Sequence, residues 1–151
     1  MTVAFHRQHE ILIGAPVEAV YDVIANPNFR RVWCEASSGI ESAERPLKRG
    51  ERFREKLRTR HGILDLNWVV LDDERPNSWT IRADTHVVGP IVLRYCLSQD
   101  GAETRCLLHV TNPRRPSEPS PDLLLRIDQD TREGLAGLKR LIEDRQGTQA
   151  A

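Results

Sequence analysis

The chain lacks an excess of charge of either sign, and it lacks any long apolar segment. Lysine plus arginine and aspartate plus glutamate each total 22 of the 151 residues, so the net charge is zero. That balance removes the usual electrostatic argument for a nucleic-acid or anionic-membrane partner. No run approaches the roughly 18 apolar residues of a membrane span, and the N-terminal MTVAFHRQHE has no signal-peptide apolar region. We therefore expect a cytoplasmic protein without a nucleic-acid partner.

Motifs for metals, cofactors and covalent catalysis are also missing. Cys34, Cys96 and Cys106 form no CxxC pair and are odd in number, so we expect free thiols in a reducing compartment. His6 and His9 would point to opposite faces of a predicted strand. The sequence has neither zinc-ligand spacing nor a glycine-rich phosphate loop, GxSxG or HExxH motif. We expect no metal and no tightly held cofactor.

What the chain does have is a strand followed at once by two helical segments. In ILIGAPVEAVYDVIANP the strand breaks at Gly14, and Pro16 suits the first turn of a helix. That helix should end at Asn26-Pro27. Its helical period is carried by four apolar residues: Val17, Val20, Tyr21 and Ile24. A second, shorter apolar stripe follows: Phe29, Val32 and Trp33.

The rest of the chain separates into strands and one helix. Residues 39–112 form a series of strands punctuated by turns, and residues 113–121, PRRPSEPSP, form an extended connector. Ser120 is an N-cap for a helix over residues 121–146. The order β-α-α-β6-α predicts one α+β domain, residues 1–151, with a curved antiparallel sheet. The last helix lies on the sheet and the helix pair covers one end of it.

At this point the chain resembles the START-like (SRPBCC) superfamily, in particular its polyketide cyclase/dehydrase-type members. The resemblance is carried by ILIGAPVEAVYDVIANP, by GAETRCLLHV as a late strand and by LAGLKRLIED as the closing helix. It implies a helix-grip fold, in which a seven-stranded antiparallel sheet grips a long C-terminal helix around an apolar cavity. It therefore predicts binding of a small hydrophobic ligand, lipid-like or aromatic, and it is compatible with a homodimer.

The same resemblance leaves two further functions open. One is a polyketide aromatase/cyclase that folds a poly-β-ketone chain in the cavity without a cofactor. The usual aromatase/cyclase wording after the first helix is not matched by PNFRRVWCEAS. The other is a protein-assisting module like the Hsp90-activator branch, which ranks last because TREGLAGLKRLIED lacks the expected glycine-tryptophan element.

Two hairpin turns predict which residues share the apolar face of the sheet. A His61-Gly62 turn would set Glu55 opposite Trp68, and an Asp100-Gly101 turn would set Tyr95 opposite Cys106. One row across the sheet then reads Glu55, Trp68, Ala83, Tyr95 and Cys106. The opposite face of the sheet is exposed to water. It carries His109 and the arginines of the strand that begins at Arg52. Cys96 and Cys106 then point to opposite faces, so we expect no cross-strand disulfide between them. A three-residue turn would instead pair the two cysteines directly.

The stripe of the last helix is large at both ends and small in the middle, at Thr131 and Gly134. Close packing of helix on sheet and room for a ligand opposite Ala83 both explain this pattern; the resemblance favours the ligand. The predicted ligand-binding residues are Trp33, Phe53, Glu55, Leu57, Trp68, Ala83, Tyr95, Cys106, Leu108, Thr131 and Gly134.

Glu55 and Tyr95 are the candidate catalytic residues. Glu55 lies between Phe53 and Leu57 on the apolar face, so it should pair with an arginine, reach water, or have a raised pKa. In a cyclase the raised pKa would make Glu55 a base, with Tyr95 donating to the developing enolate.

Overall fold

A seven-stranded antiparallel sheet, in the order β1-β7-β6-β5-β4-β3-β2, forms the body of the chain. The computed structural model describes residues 2–59 and 62–150. The strands are β1 (Val3–Ile13), β2 (Ser37–Glu41), β3 (Arg52–Thr59), β4 (Gly62–Glu74), β5 (Ser78–Thr85), β6 (Gly89–Asp100) and β7 (Glu103–Arg115). The helices are α1 (Val17–Ile24), α2 (Arg30–Trp33) and α3 (Pro121–Ala150). The predicted element order and helix-grip fold are confirmed.

The two early helices begin and end where the sequence predicted. α1 starts directly after Pro16, and its buried side includes Val20 and Ile24. A 3₁₀ turn over Pro27–Phe29 follows, with the side chain of Asn26 accepting the backbone N–H of Asn28 at 3.2 Å. Only part of the second apolar stripe faces the core, because Trp33 is buried while Val32 is 67% exposed.

Both hairpin registers differ from the prediction by the same step. Glu55 pairs with Leu66, and Phe53 with Trp68, because Thr59 already pairs with Gly62. His61 of the predicted turn lies outside the described residues, as does residue 60. In each strand the partner moves by two residues, and a two-residue shift keeps every side chain on its predicted face.

The second hairpin shows a displacement of the same size in the opposite direction. Asp100 pairs with Glu103, and Gly101 supplies the positive φ of 62° at the first turn position. Tyr95 is therefore opposite Leu108, and Cys106 opposite Leu97. The predicted row across the sheet is wrong in these pairs, although Trp68 does pair with Ala83. It is also wrong between Ala83 and Tyr95, because Ala83 pairs with Ile91 and Tyr95 with Trp79.

The proline-rich connector is shorter than predicted. β7 continues through Pro113 to Arg115, so only residues 116–120 link it to α3. Opposite Pro113, the pairing between β7 and β1 shifts register between Val3 and Phe5. Because the ladder of hydrogen bonds is irregular there, β7 tolerates a proline, which has no backbone N–H to donate. Ser120 caps α3, as predicted, because its Oγ accepts the backbone N–H of Leu123 at 3.2 Å.

α3 lies on the sheet face that carries Trp68 and Tyr95, as predicted. Leu135, Leu138 and Ile142 belong to the same buried core as these two aromatic residues. On the outer face of the sheet the arginines stay in solvent.

The first turns of α3 cover the sheet incompletely. Asp128 binds Arg7 and His9 of β1, and Arg7 pairs across the sheet with Val110. Several apolar residues of the inner face are only half-buried: Leu57, Leu64, Ile91, Leu93 and Val110. Leu123, Leu124 and Ile127 of α3 are also half-buried. Part of the apolar face therefore remains accessible between sheet and helix.

Candidate functional site

A buried ion pair lies at the junction of α2 and the inner face of the sheet. Arg30 Nε donates to Glu55 Oε2 at 2.9 Å, and Trp68 Nε1 donates to Glu55 Oε1 at 3.0 Å. Arg30 Nη1 also lies 3.3 Å from the Tyr95 hydroxyl oxygen, to which it donates. Arg30 and Glu55 are 4% and 1% exposed. All four polar groups of this network are removed from water.

Local structure brings the two charges together. Glu55 follows the strand alternation inward with its neighbours Phe53 and Leu57, and Arg30 is the first residue of α2, directly after the 3₁₀ turn. The Arg30 guanidinium carbon lies 5.3 Å from the centre of the Trp33 ring and 5.9 Å from that of Trp68, within cation–π range.

The ion pair decides the charge of Glu55. Burial alone raises the pKa of Glu55, but the charge and hydrogen bond of Arg30, together with hydrogen bonds from Ser37 and Trp68, hold the pKa below its ordinary value. The prediction of a raised pKa is therefore wrong, and the arginine alternative is confirmed. Burial raises the pKa of Tyr95 to about 12, and it raises that of the Cys106 thiol to about 12. At neutral pH Glu55 is an anion, while Tyr95 and Cys106 are neutral.

A groove of about 1360 Å³ runs beside this network, between the α2–β2 segment and α3. Its wall includes Trp33, Cys34 and Ser37 on one side and Gly134, Gly137 and Leu141 on the other. Trp33 separates the groove from the ion pair, because its ring also packs edge-on against Tyr95 with 6.5 Å between ring centres. A second, shallower cleft of about 620 Å³ lies among charged side chains such as Arg45 and Glu51, away from the network.

The two central glycines of α3 face α2 and not Ala83. A methyl group at Gly134 would lie 3.8 Å from Trp33 Cζ3, which is ordinary contact. A methyl group at Gly137 would lie 2.5 Å from the Trp33 carbonyl oxygen. The expectation of space opposite Ala83 is therefore replaced by a close helix–helix approach at Gly137 and by the groove at Gly134.

This contrast predicts opposite effects of alanine at two positions. Gly137→Ala should lower the free energy of unfolding by roughly 1–3 kcal/mol, because the α2 backbone must move. Gly134→Ala should raise it by up to about 1 kcal/mol, since alanine has the better helix propensity and the space is available. Urea denaturation of both variants measures this difference, and equal effects at the two positions would contradict the described packing.

Two buried hydrogen-bond donors on the groove wall are unused. Trp33 Nε1 and Ser37 Oγ have no hydrogen-bond partner among the described residues. A hydrogen bond from the Ser37 hydroxyl is among the interactions that lower the pKa of Glu55, although the contact is outside the distance and angle limits of a well-formed bond. The other two indoles are satisfied, since Trp68 Nε1 bonds Glu55 and Trp79 Nε1 donates to the Leu47 carbonyl oxygen at 3.1 Å.

The predicted site residues divide into three groups. Trp33 and Gly134 line the groove. Leu57 and Thr131 are half-buried. The remaining residues are buried on the inner face: Phe53, Glu55, Trp68, Ala83, Tyr95, Cys106 and Leu108. The structure therefore brings Trp33, Glu55, Trp68 and Tyr95 together.

Sequence reasoning missed Arg30 and Ser37. The signal for Arg30 was available, because a glutamate on an apolar strand face requires a cation, and α2 covers that end of the sheet. Nothing in the sequence distinguished Arg30 from Arg31, since both occupy the same short segment.

A second polar cluster ties α3 to β1. Arg7 Nε donates to Asp128 Oδ1 at 3.0 Å, and His9 Nε2 lies 3.0 Å from the same oxygen. The hydrogen bonds from Arg7 hold the pKa of Asp128 below its ordinary value. His6 lies on the other face of β1, as predicted, with its Nε2 atom 3.3 Å from His109 Nδ1.

No group of three histidine, cysteine or carboxylate side chains within residues 2–59 and 62–150 is arranged to hold a metal ion.

No helix within the described ranges combines the length and the apolar character that crossing a membrane requires.

Comparison with protein families identifies the family of the chain. The sequence profile of the family described as polyketide cyclase/dehydrase and lipid transport matches residues 4–143. The chain belongs to this family, which confirms the predicted START-like resemblance. A comparison with curated proteins finds no match.

Solved structures with very different sequences share the fold. The ZhuI aromatase/cyclase from Streptomyces sp. R1128 superposes with a TM-score of 0.76 at 17% identity, covering 95% of this chain and 96% of that one. The di-domain ARO/CYC StfQ from the steffimycin biosynthetic pathway gives 0.75 at 11% identity, covering 95% and 52%. Ara h 8.0201 gives 0.72 at 6% identity, covering 94% and 99%. At such identities these likenesses establish the fold and no more.

Proposed function

We propose that this protein binds a small hydrophobic ligand, lipid-like or aromatic, between the sheet and α3. The observation that carries the proposal is the groove of about 1360 Å³ beside Trp33, which is large enough for a small molecule. The family description, which includes lipid transport, supports the same function.

The proposed contacts follow from the position of the groove. Trp33 and Gly134 would touch the ligand directly, and the half-buried Leu57 and Thr131 would extend the site toward the open end of the sheet. The remaining predicted residues would form the wall behind Trp33. A flat apolar molecule would bury area against the Trp33 ring, which gives the largest gain per contact at such a site.

The geometry favours a binding protein over a cyclase that uses Glu55. A general base works best with a pKa near the operating pH. The pKa of Glu55 is lowered by Arg30, and that of Tyr95 is raised to about 12. The carboxylate is also occupied by Arg30 and Trp68. In our proposal this network stabilises the fold and supports Trp33 from behind.

Titration with the fluorescent probe 8-anilinonaphthalene-1-sulfonate (ANS) tests the proposal. We expect one saturable site, from which a long-chain or polycyclic apolar compound displaces the probe. Native mass spectrometry of freshly purified protein should show the same stoichiometry for any ligand carried through purification. A natively folded protein, verified by near-ultraviolet circular dichroism, that shows no saturable binding of ANS or of such compounds would overturn the proposed function.

A further inference from the structure

Two imidazole rings meet on the outer face of the sheet, which is the face opposite α3. His6 Nε2 lies 3.3 Å from His109 Nδ1, and the ring centres are 5.3 Å apart at an interplanar angle of 52°. His6 belongs to the edge strand β1 and His109 to its neighbour β7. From the sequence we compared His6 with His9 of the same strand, but the ring that His6 meets lies 103 residues further along the chain.

The separation of the two nitrogens matches that of two ligands on one tetrahedral zinc ion. A Zn–N bond is about 2.0–2.1 Å long, so two nitrogens on a tetrahedral zinc lie about 3.3–3.4 Å apart. The same bonds at a right angle, as in a square-planar copper site, would set the nitrogens about 2.9 Å apart. The strand register holds the rings at this spacing. Because His6 pairs with Thr111 and Gln8 with His109, the two histidines are diagonal neighbours on one face.

Thr111 orients the His6 ring for ligation. Its Oγ1 atom lies 3.3 Å from His6 Nδ1, the ring nitrogen that does not face His109. In the neutral tautomer in which Nδ1–H donates to this hydroxyl, Nε2 carries a lone pair and no proton. Histidines that bind metals are typically held in this way, by a hydrogen bond from the other ring nitrogen.

His109 is suited to ligation by its charge state. Burial lowers the pKa of His109, and the charges of His6 and Arg94 lower it further. A neutral imidazole can bind a metal ion without first losing a proton. Arg94 pairs with His109 between β6 and β7, so its guanidinium also repels a cation at this position and limits the affinity.

We propose that His6 Nε2 and His109 Nδ1 together bind one zinc ion on the outer face of the sheet. Within residues 2–59 and 62–150 no third histidine, cysteine or carboxylate completes the site. Zinc sites with structural or catalytic roles have three or four protein ligands, so at this pair water fills the remaining positions and the ion is readily exchanged. The site is separate from the groove, and it does not depend on the proposed binding function.

Isothermal titration calorimetry of untagged, EDTA-treated and dialysed protein with zinc chloride tests the site. The wild type should bind one zinc ion with a Kd below about 1 mM. His6→Ala and His109→Ala should each weaken binding by at least about tenfold, because each removes one of the two ligands. Arg94→Gln should strengthen binding by about threefold or more, since it removes a positive charge next to the ion.

His86→Ala is the matched control, because His86 is an exposed histidine in the turn between β5 and β6. Zinc affinity should be unchanged in this variant, and circular dichroism verifies the fold of all four. A wild type without saturable zinc binding would overturn the proposal and would leave the 3.3 Å contact as a hydrogen bond between the two rings. Binding that persists in both His6→Ala and His109→Ala would place the ion elsewhere and would overturn it equally.

Discussion

Glu55→Gln should lower the free energy of unfolding by about 3–5 kcal/mol, because it leaves the Arg30 guanidinium buried without a counter-ion. The substitution keeps the size of the side chain, so lost packing contributes little. Trp68 Nε1 can still donate to the amide oxygen of glutamine. Urea denaturation followed by tryptophan fluorescence measures the change. A loss below about 1 kcal/mol would show that Arg30 reaches water and that the pair is not buried as described.

The double variant Arg30→Met/Glu55→Leu is the control for this first prediction. Removing both charges removes the unpaired ion, so the double variant should be more stable than the sum of the two single changes implies, by at least about 2 kcal/mol. Additive losses would mean that the two side chains do not interact.

The pH dependence of stability provides a separate check on the same pair. Because Arg30 holds the pKa of Glu55 below 4.5 in the folded state, the stabilisation is present above pH 4.5 and is lost as the pH falls through the folded pKa. Wild-type stability should therefore decline below about pH 4.5 more steeply than that of the double variant, which lacks the carboxylate. Parallel profiles for the two proteins would contradict the lowered pKa.

Gly134→Leu should weaken binding of ANS and of apolar ligands by at least about tenfold. The new side chain would start 3.8 Å from Trp33 Cζ3 and extend along the groove wall where the ligand is proposed to lie. Leucine is also the better helix former, so α3 itself should form at least as well. Fluorescence titration with ANS measures the effect, and circular dichroism verifies the fold.

The matched control for this second prediction is Gly147→Leu on the same helix. Gly147 is exposed, and nothing lies within 4 Å of the position that its Cβ would take. Ligand affinity should be unchanged in this variant. Undiminished binding by folded Gly134→Leu would place the ligand outside the groove.

The sequence predicted the faces of the sheet better than its pairs. Alternation of apolar and polar residues determines which side of a strand is buried, and this holds along β3 and β6. The exact partner depends on which residues form the turn, and in both hairpins the observed partner differs from the predicted one by two residues. Since the partner moved by two residues each time, Phe53, Trp68 and Tyr95 are still on the inner face.

The site was harder to predict than the fold because its defining contacts are distant in sequence. Glu55 was recognised as a buried carboxylate that needed a partner, but Arg30 is 25 residues away on a helix of four residues. The orientation of such a short helix is determined by tertiary packing and not by its own sequence period. We predicted that Gly134 of α3 faces the sheet, because the sequence does not give the position of α2.

The most direct test of a ligand site beside Trp33 is a ¹H–¹⁵N spectrum of the three tryptophan indole groups during titration with ANS. Trp33 Nε1–H has no partner among the described residues, whereas the indoles of Trp68 and Trp79 are bound to Glu55 and to the Leu47 carbonyl. We predict that the Trp33 signal, assigned from its absence in Trp33→Phe, shifts in a saturable manner while the other two stay in place. A saturable shift of Trp68 or Trp79 with no change at Trp33 would contradict the account.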